Sequence, residues 1–124
     1  MNDSKKTVII GATTNETRYA FMAADRLQGA GIEFVPVGIK KGTVFGKDIL
    51  PLSEKPVIEK VHTVTLYIGP QNQPEWYDYI LSLQPERIVF NPGTENREFE
   101  ELANKKGIET VEGCTLVMLG VGTY

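Results

Sequence analysis

Apolar and polar positions along the chain alternate between two periods. Five short runs rich in β-branched and apolar residues, at positions 7–10, 33–37, 63–68, 87–90 and 110–112, predict strands. Between the first two, Ala20, Ala23, Ala24 and Leu27 recur at i, i+3, i+4 and i+7, which predicts a helix from Arg18 to Ala30, with Gly29 and Gly31 as stop signals. A second helix is predicted from Pro74, with Trp76, Tyr77, Ile80 and Leu81 along one side and Pro85 as its end. A third is predicted from Asn96, with Phe99, Leu102 and Ala103 before Gly107. Residues 38–62 lose this periodicity and carry Gly42, Gly46, Pro51 and Pro56, so loops with a short hairpin or helical turn are expected there. The apolar tail Leu116-Val117-Met118-Leu119 is the best candidate for burial, inside the fold or against a twin.

Strands that alternate with helices imply a mostly parallel sheet covered on both faces. The expected architecture is an α/β, Rossmann-like three-layer sandwich with a five-stranded, mostly parallel sheet. At 124 residues the chain fits one domain, taken as 1–124, which buries enough surface to need no covalent staple. A hydrophobic share of 41% and a charged share of 23% are those of a compact globular protein. The formal net charge of −3 supplies no basic field for nucleic acid or an anionic membrane, so neither is expected as a partner. The single cysteine, Cys114, excludes an internal disulfide, and the start Met1-Asn2-Asp3-Ser4-Lys5-Lys6 lacks the apolar stretch of a secretory signal. A reduced, cytoplasmic setting is the expectation.

In a parallel sheet, ligands gather beyond the carboxyl ends of the strands, where strand order reverses. Three glycine-bearing polar segments follow strands here, at residues 11–15, 38–42 and 91–96. In the first, Gly11 permits a tight bend and close approach of a ligand, Ala12 follows it, Thr13, Thr14 and Asn15 offer short polar groups, and a helix start supplies unpaired N–H groups. The segment reads either as a phosphate site or as a strand exit whose Thr14 or Asn15 caps the helix. It is not a G-x-G-x-x-G dinucleotide fingerprint. The second segment carries Lys40 and Lys41 where an NAD-binding domain places an acid, so it suits a phosphorylated ribose, as in NADP or coenzyme A, or is a solvated turn.

The sequences Gly11-Ala12-Thr13-Thr14-Asn15-Glu16-Thr17-Arg18-Tyr19-Ala20-Phe21, Val35-Pro36-Val37-Gly38-Ile39-Lys40 and Asn91-Pro92-Gly93-Thr94-Glu95-Asn96, followed by Gly113-Cys114, resemble the small stand-alone CoA-binding domain proteins. These are similar to the CoA-binding domain of the succinyl-CoA synthetase α subunit, and the likeness covers most of the chain in order. The resemblance implies a Rossmann-like fold and coenzyme A or an acyl-CoA as ligand. It implies phosphates at the Gly11 turn, the nucleotide end at Lys40 and its neighbours, and a crevice closed by Asn91, Pro92 and Gly93. Arg18 and Tyr19 match an Arg-Tyr pair of that family, able to pair with phosphate and to pack on a ring. Gly38-Ile39 stands where the family pattern has Asn-Pro.

A catalytic constellation is harder to assemble. The one histidine, His62, falls at the entrance of a strand, away from the expected ligand end. Cys114 is either a reactive thiol or an inert half-buried one. Glu95, Glu98, Glu100 and Glu101 suit the opening of a helix, with Glu95 alone aimed at the crevice, and no spacing suggests a zinc or calcium site. The expectation is binding without catalysis, with a small NADP-dependent oxidoreductase or an interaction module with a vestigial crevice as alternatives. A homodimer fits a domain of this kind, though the sequence marks no interface.

Overall fold

The computed structural model describes residues 5–124; Met1 to Ser4, part of the start read above as lacking a secretory signal, lie outside them. Strands β1 (Thr7–Ile10), β2 (Phe34–Gly38), β5 (Leu50–Pro51), β6 (Thr63–Leu66), β7 (Arg87–Phe90) and β8 (Glu109–Glu112) form a six-stranded sheet in the order β5-β2-β1-β6-β7-β8. Every pairing in it is parallel. A separate antiparallel pair, β3 (Thr43–Val44) and β4 (Lys47–Asp48), makes the hairpin anticipated in the aperiodic stretch. The sheet thus has one strand more than the five expected. That strand, β5, is two residues long and pairs only with Val37 and Gly38, too short to leave a pattern in the sequence. Pro51 is tolerated because the strand lies at the sheet edge.

Alternation along the strands divides the core into two layers. Val8, Ile10, Val64, Leu66, Ile88 and Phe90 meet helix α2 (Tyr77–Ser82) and helix α3 (Arg97–Lys105) through Ile80, Leu81, Phe99 and Ala103. On the other face Ile9 meets helix α1 (Tyr19–Gly29) through Ala20, Ala24 and Leu27. The alanines let α1 lie close on the sheet. The predicted helices are present, with α2 shortened because a 3₁₀ turn at Pro74–Trp76 precedes it. Asn96 caps α3 by accepting a hydrogen bond from the Phe99 amide at 3.2 Å.

The tail, read as the best candidate for burial inside the fold or against a twin, is only partly buried within the chain. It forms a fourth helix, α4 (Thr115–Val121), of which only Thr115 is buried, while Val117 and Val121 are exposed. Met118 and Leu119 pack beside α1, and polar contacts hold both ends of the helix: Thr65 Oγ1 to Thr115 Oγ1 at 2.8 Å at the start, and Tyr124 beyond its end. The apolar run thus supplies only part of what holds this helix, and hydrogen bonds at its two ends supply the rest. Among the described residues no helix is long and apolar enough to cross a membrane.

Candidate functional site

Because every strand of the main sheet runs the same way, the segments after β1, β2, β6, β7 and β8 emerge along one edge. The chain runs outward from β1 to β2 and β5 on one side and from β6 to β7 and β8 on the other. The order therefore reverses between β1 and β6, the place where such sheets hold ligands.

The first turn lies at this reversal. Gly11 has a φ of +99°, and a Cβ there would sit 3.2 Å from Tyr67 and Ile68, so only glycine lets the turn pass close to the exit of β6. The Gly11 and Ala12 amides both donate to Val37 O, at 2.9 and 3.0 Å, so these two N–H groups hold the turn against β2. Asn15 does not cap α1. Its Oδ1 accepts from the Thr17 amide and hydroxyl, and Thr13 Oγ1 accepts from the Asn15 amide. Among the described residues the amides of Thr13, Thr14 and Glu16 find no acceptor. Arg18 stands at the helix start in extended conformation with no side-chain cap and no acid in the first turn. The positive end of α1 is thereby left uncompensated, which favours an anion. Arg18 and Tyr19 are both exposed, Tyr19 to 68%.

The second segment packs directly on the first. A Cβ on Gly38 would lie 2.5 Å from Ala12 O, and one on Gly42 would lie 2.5 Å from Thr14 Cγ2. At Gly38 the two turns touch backbone to backbone, which leaves no room for a side chain. Between these contacts Ile39, Lys40 and Lys41 project into solvent, Ile39 to 84%. The lysine-bearing loop and the Gly11 turn are thus one surface.

In the third segment, Pro92 and Gly93 are exposed at the tip, but Asn91 turns inward and is 2% exposed. Its Nδ2 donates to Thr65 Oγ1 and Leu66 O at 2.8 and 2.9 Å, and its Oδ1 accepts from the Thr115 amide at 2.9 Å. The resemblance implied that Asn91 closes the crevice; its side chain instead uses its hydrogen bonds to join β6, β7 and α4. Thr94 closes the turn on Asn91 O, and Glu95 accepts from the Gly93 amide at 2.9 Å.

Two residues of this edge carried no signal in the sequence. Gln73 is fully buried; its Nε2 donates to Ile68 O and Thr94 O, and its Oε1 accepts from Asn96, clamping the loops after β6 and β7 together. A lone glutamine in a loop has no periodicity to betray it. Tyr67 follows β6 beside Gly11, and burial pushes its phenol up to about 12, so it stays neutral near physiological pH. Cys114 is half-buried at the start of α4. His62 lies at the opposite edge, as expected, where burial chiefly lowers its pKa. Two cavities of about 750 and 590 Å³ also open at that opposite edge, lined by Gln84 and Glu86 among others, and neither touches the three turns. Among the described residues no group of three or more His, Cys, Asp or Glu side chains is arranged to hold a metal ion.

Comparison with known proteins places this geometry. A crystal structure of an uncharacterized protein is 61% identical and superposes with a TM-score of 0.94, covering 99% of this chain and 100% of the other. A Thermus thermophilus protein described as cell-free ID.343 is 21% identical with a TM-score of 0.86, over 98% of this chain and 91% of its own. A hypothetical protein from Pyrococcus horikoshii OT3 is 24% identical with a TM-score of 0.80, over 92% and 80%. The last two show the fold alone. No curated protein matches the chain. The model of the CoA binding domain family matches residues 5–120, and with the doubly wound sheet and its glycine turn at the strand reversal, the chain belongs to the CoA binding domain family.

Proposed function

We propose that the protein binds coenzyme A or an acyl-CoA without transforming it, with the diphosphate at residues 11–15 and the start of α1, and the 3′-phosphate at Lys40 and Lys41. The observation that carries this reading is the contact of Gly38 with Ala12 and of Gly42 with Thr14, which joins the anion-seeking turn and the two lysines into one surface. Free amides and an uncapped helix start suit a diphosphate, and exposed ammonium groups at the rim suit a terminal phosphate. Arg18 and Tyr19 flank the same turn and serve phosphate pairing and ring packing. Pro92 and Gly93 form the wall across the crevice, and Asn91 acts on it from inside by holding the turn's shape.

Calorimetric titration of CoA and 3′-dephospho-CoA tests the two halves separately. CoA is expected to bind at least about tenfold more tightly than the dephospho form, a difference of about 1.4 kcal/mol, and the preference is expected to vanish in Lys40→Ala/Lys41→Ala. Equal affinity for the two ligands removes the role of the lysines. Failure of both to bind removes the reading.

A further inference from the structure

Helices α1 and α4 pack side by side on one face of the sheet, with Met118 and Leu119 of α4 turned inward beside Ala20, Ala24 and Leu27 of α1. Their outer surface is apolar to an unusual degree. Of the seven large apolar side chains that stand exposed among the described residues, four belong to these two helices: Tyr19 and Met22 on α1, and Val117 and Val121 on α4. Val117 and Val121 lie one turn apart, and α4 carries no charged residue at all. An exposed helix with valines outward and no charge leaves apolar area for a partner to cover.

The charges of α1 say which partner fits. Ala20, Ala24 and Leu27 face the sheet, so the helical period puts Arg18, Met22 and Asp25 in one row on the opposite side, two turns long. All three are exposed, and among the described residues neither Arg18 nor Asp25 has an ion-pair partner. The row is thus positive at its start, negative at its end and apolar in the middle. Tyr19 and Arg26, also seven residues apart and exposed, run along one flank of it.

Such a row is complementary to itself when reversed. A two-fold axis beside Met22 lays α1 antiparallel to the α1 of a second copy and sets Arg18 opposite the partner's Asp25 at both ends, with Met22 against the partner's Met22 between them. The same operation brings the Arg26 guanidinium of each copy toward the Tyr19 ring of the other. A parallel arrangement sets arginine against arginine and aspartate against aspartate, so the pattern selects a single orientation.

We propose that the outer face of α1 and α4 is the interface of a two-fold symmetric homodimer, in which α1 lies antiparallel to its counterpart and Arg18 pairs with the partner's Asp25. The assignment stands on the exposed side chains and charge order of these helices and is independent of the CoA-binding reading.

Sedimentation equilibrium of the whole chain, at low ionic strength and without CoA, tests it. The wild type is expected to dimerise, and Asp25→Arg, which sets two arginines together at each end of the row, is expected to raise the dimer dissociation constant at least about tenfold. Adding Arg18→Asp to Asp25→Arg exchanges the two charges and is expected to return the constant to within about threefold of the wild type; aspartate is also a favourable residue at a helix start. Met22→Glu, which places two carboxylates at the axis, is expected to raise it at least about tenfold as well. A wild type still monomeric at about 100 μM overturns the proposal. So does a dimer that Asp25→Arg or Met22→Glu leaves intact, or one that the exchanged pair fails to restore while its far-ultraviolet circular dichroism matches the wild type. Should the exchanged pair not fold, Asp25→Arg and Met22→Glu decide by the same tenfold criterion.

Discussion

Gly38 shows how a single hydrogen atom in place of a side chain decides the shape of the candidate site. Its Cα approaches Ala12 so closely that a methyl group would lie 2.5 Å from a backbone oxygen, which cannot swing aside. Gly38→Ala is therefore expected to cost about 1–3 kcal/mol of stability, seen as a lower urea midpoint, and to weaken CoA binding by driving the Gly11 turn away from the lysine loop. Gly29→Ala is the control: it lies in α1 with open space around it, and a small gain of about 0.5–1 kcal/mol is expected. Sequence reasoning recognised Gly11 by its setting after a strand. It could not recognise Gly38 as a contact residue, because the partner that forbids a side chain there lies on a different strand.

At the level of elements, the edge that carries the turns is tied by buried polar clips. Asn91 joins β6, β7 and α4 with three hydrogen bonds, and Gln73 joins the loops after β6 and β7. Asn91→Ala leaves the Leu66 carbonyl and the Thr115 amide without a side-chain partner in a buried setting, so a loss of about 3 kcal/mol is expected in chemical denaturation. Amide exchange at Thr115 and along α4 is expected to accelerate while β1 stays protected, since the start of α4 loses its tie to Asn91 and Thr115 is the only fully buried residue of the helix. The helices with a clear apolar face, α1 and α3, were legible as patterns. α4 was legible only as an apolar run, because the contacts that anchor its start come from Thr65 and Asn91, far from it in sequence.

For the molecule as a whole, one carboxyl makes stability depend on pH in an unusual direction. Glu100 on α3 has a buried Oε2 without a hydrogen-bond partner, and burial, with like-charged Glu112 beside it, pushes its pKa from 4.5 to about 7. Between these values the folded state keeps a proton that the unfolded state has released, so stability falls as pH rises from about 4.5 through about 7 and then levels off. Glu100→Gln is expected to flatten that part of the profile of urea midpoint against pH. Local order determined much of this protein: short apolar runs spaced by amphipathic helices specify a parallel α/β sheet, and glycine with short polar residues after a strand specifies the first turn, because propensity and periodicity act between residues near in sequence. Tertiary structure alone decided the sixth strand, the inward turn of Asn91, the contact of Gly38 with Ala12 and the burial of Arg87 beneath Tyr124. Each of these is a meeting of residues distant along the chain, whose energy comes from close packing and shared hydrogen bonds that no local pattern encodes.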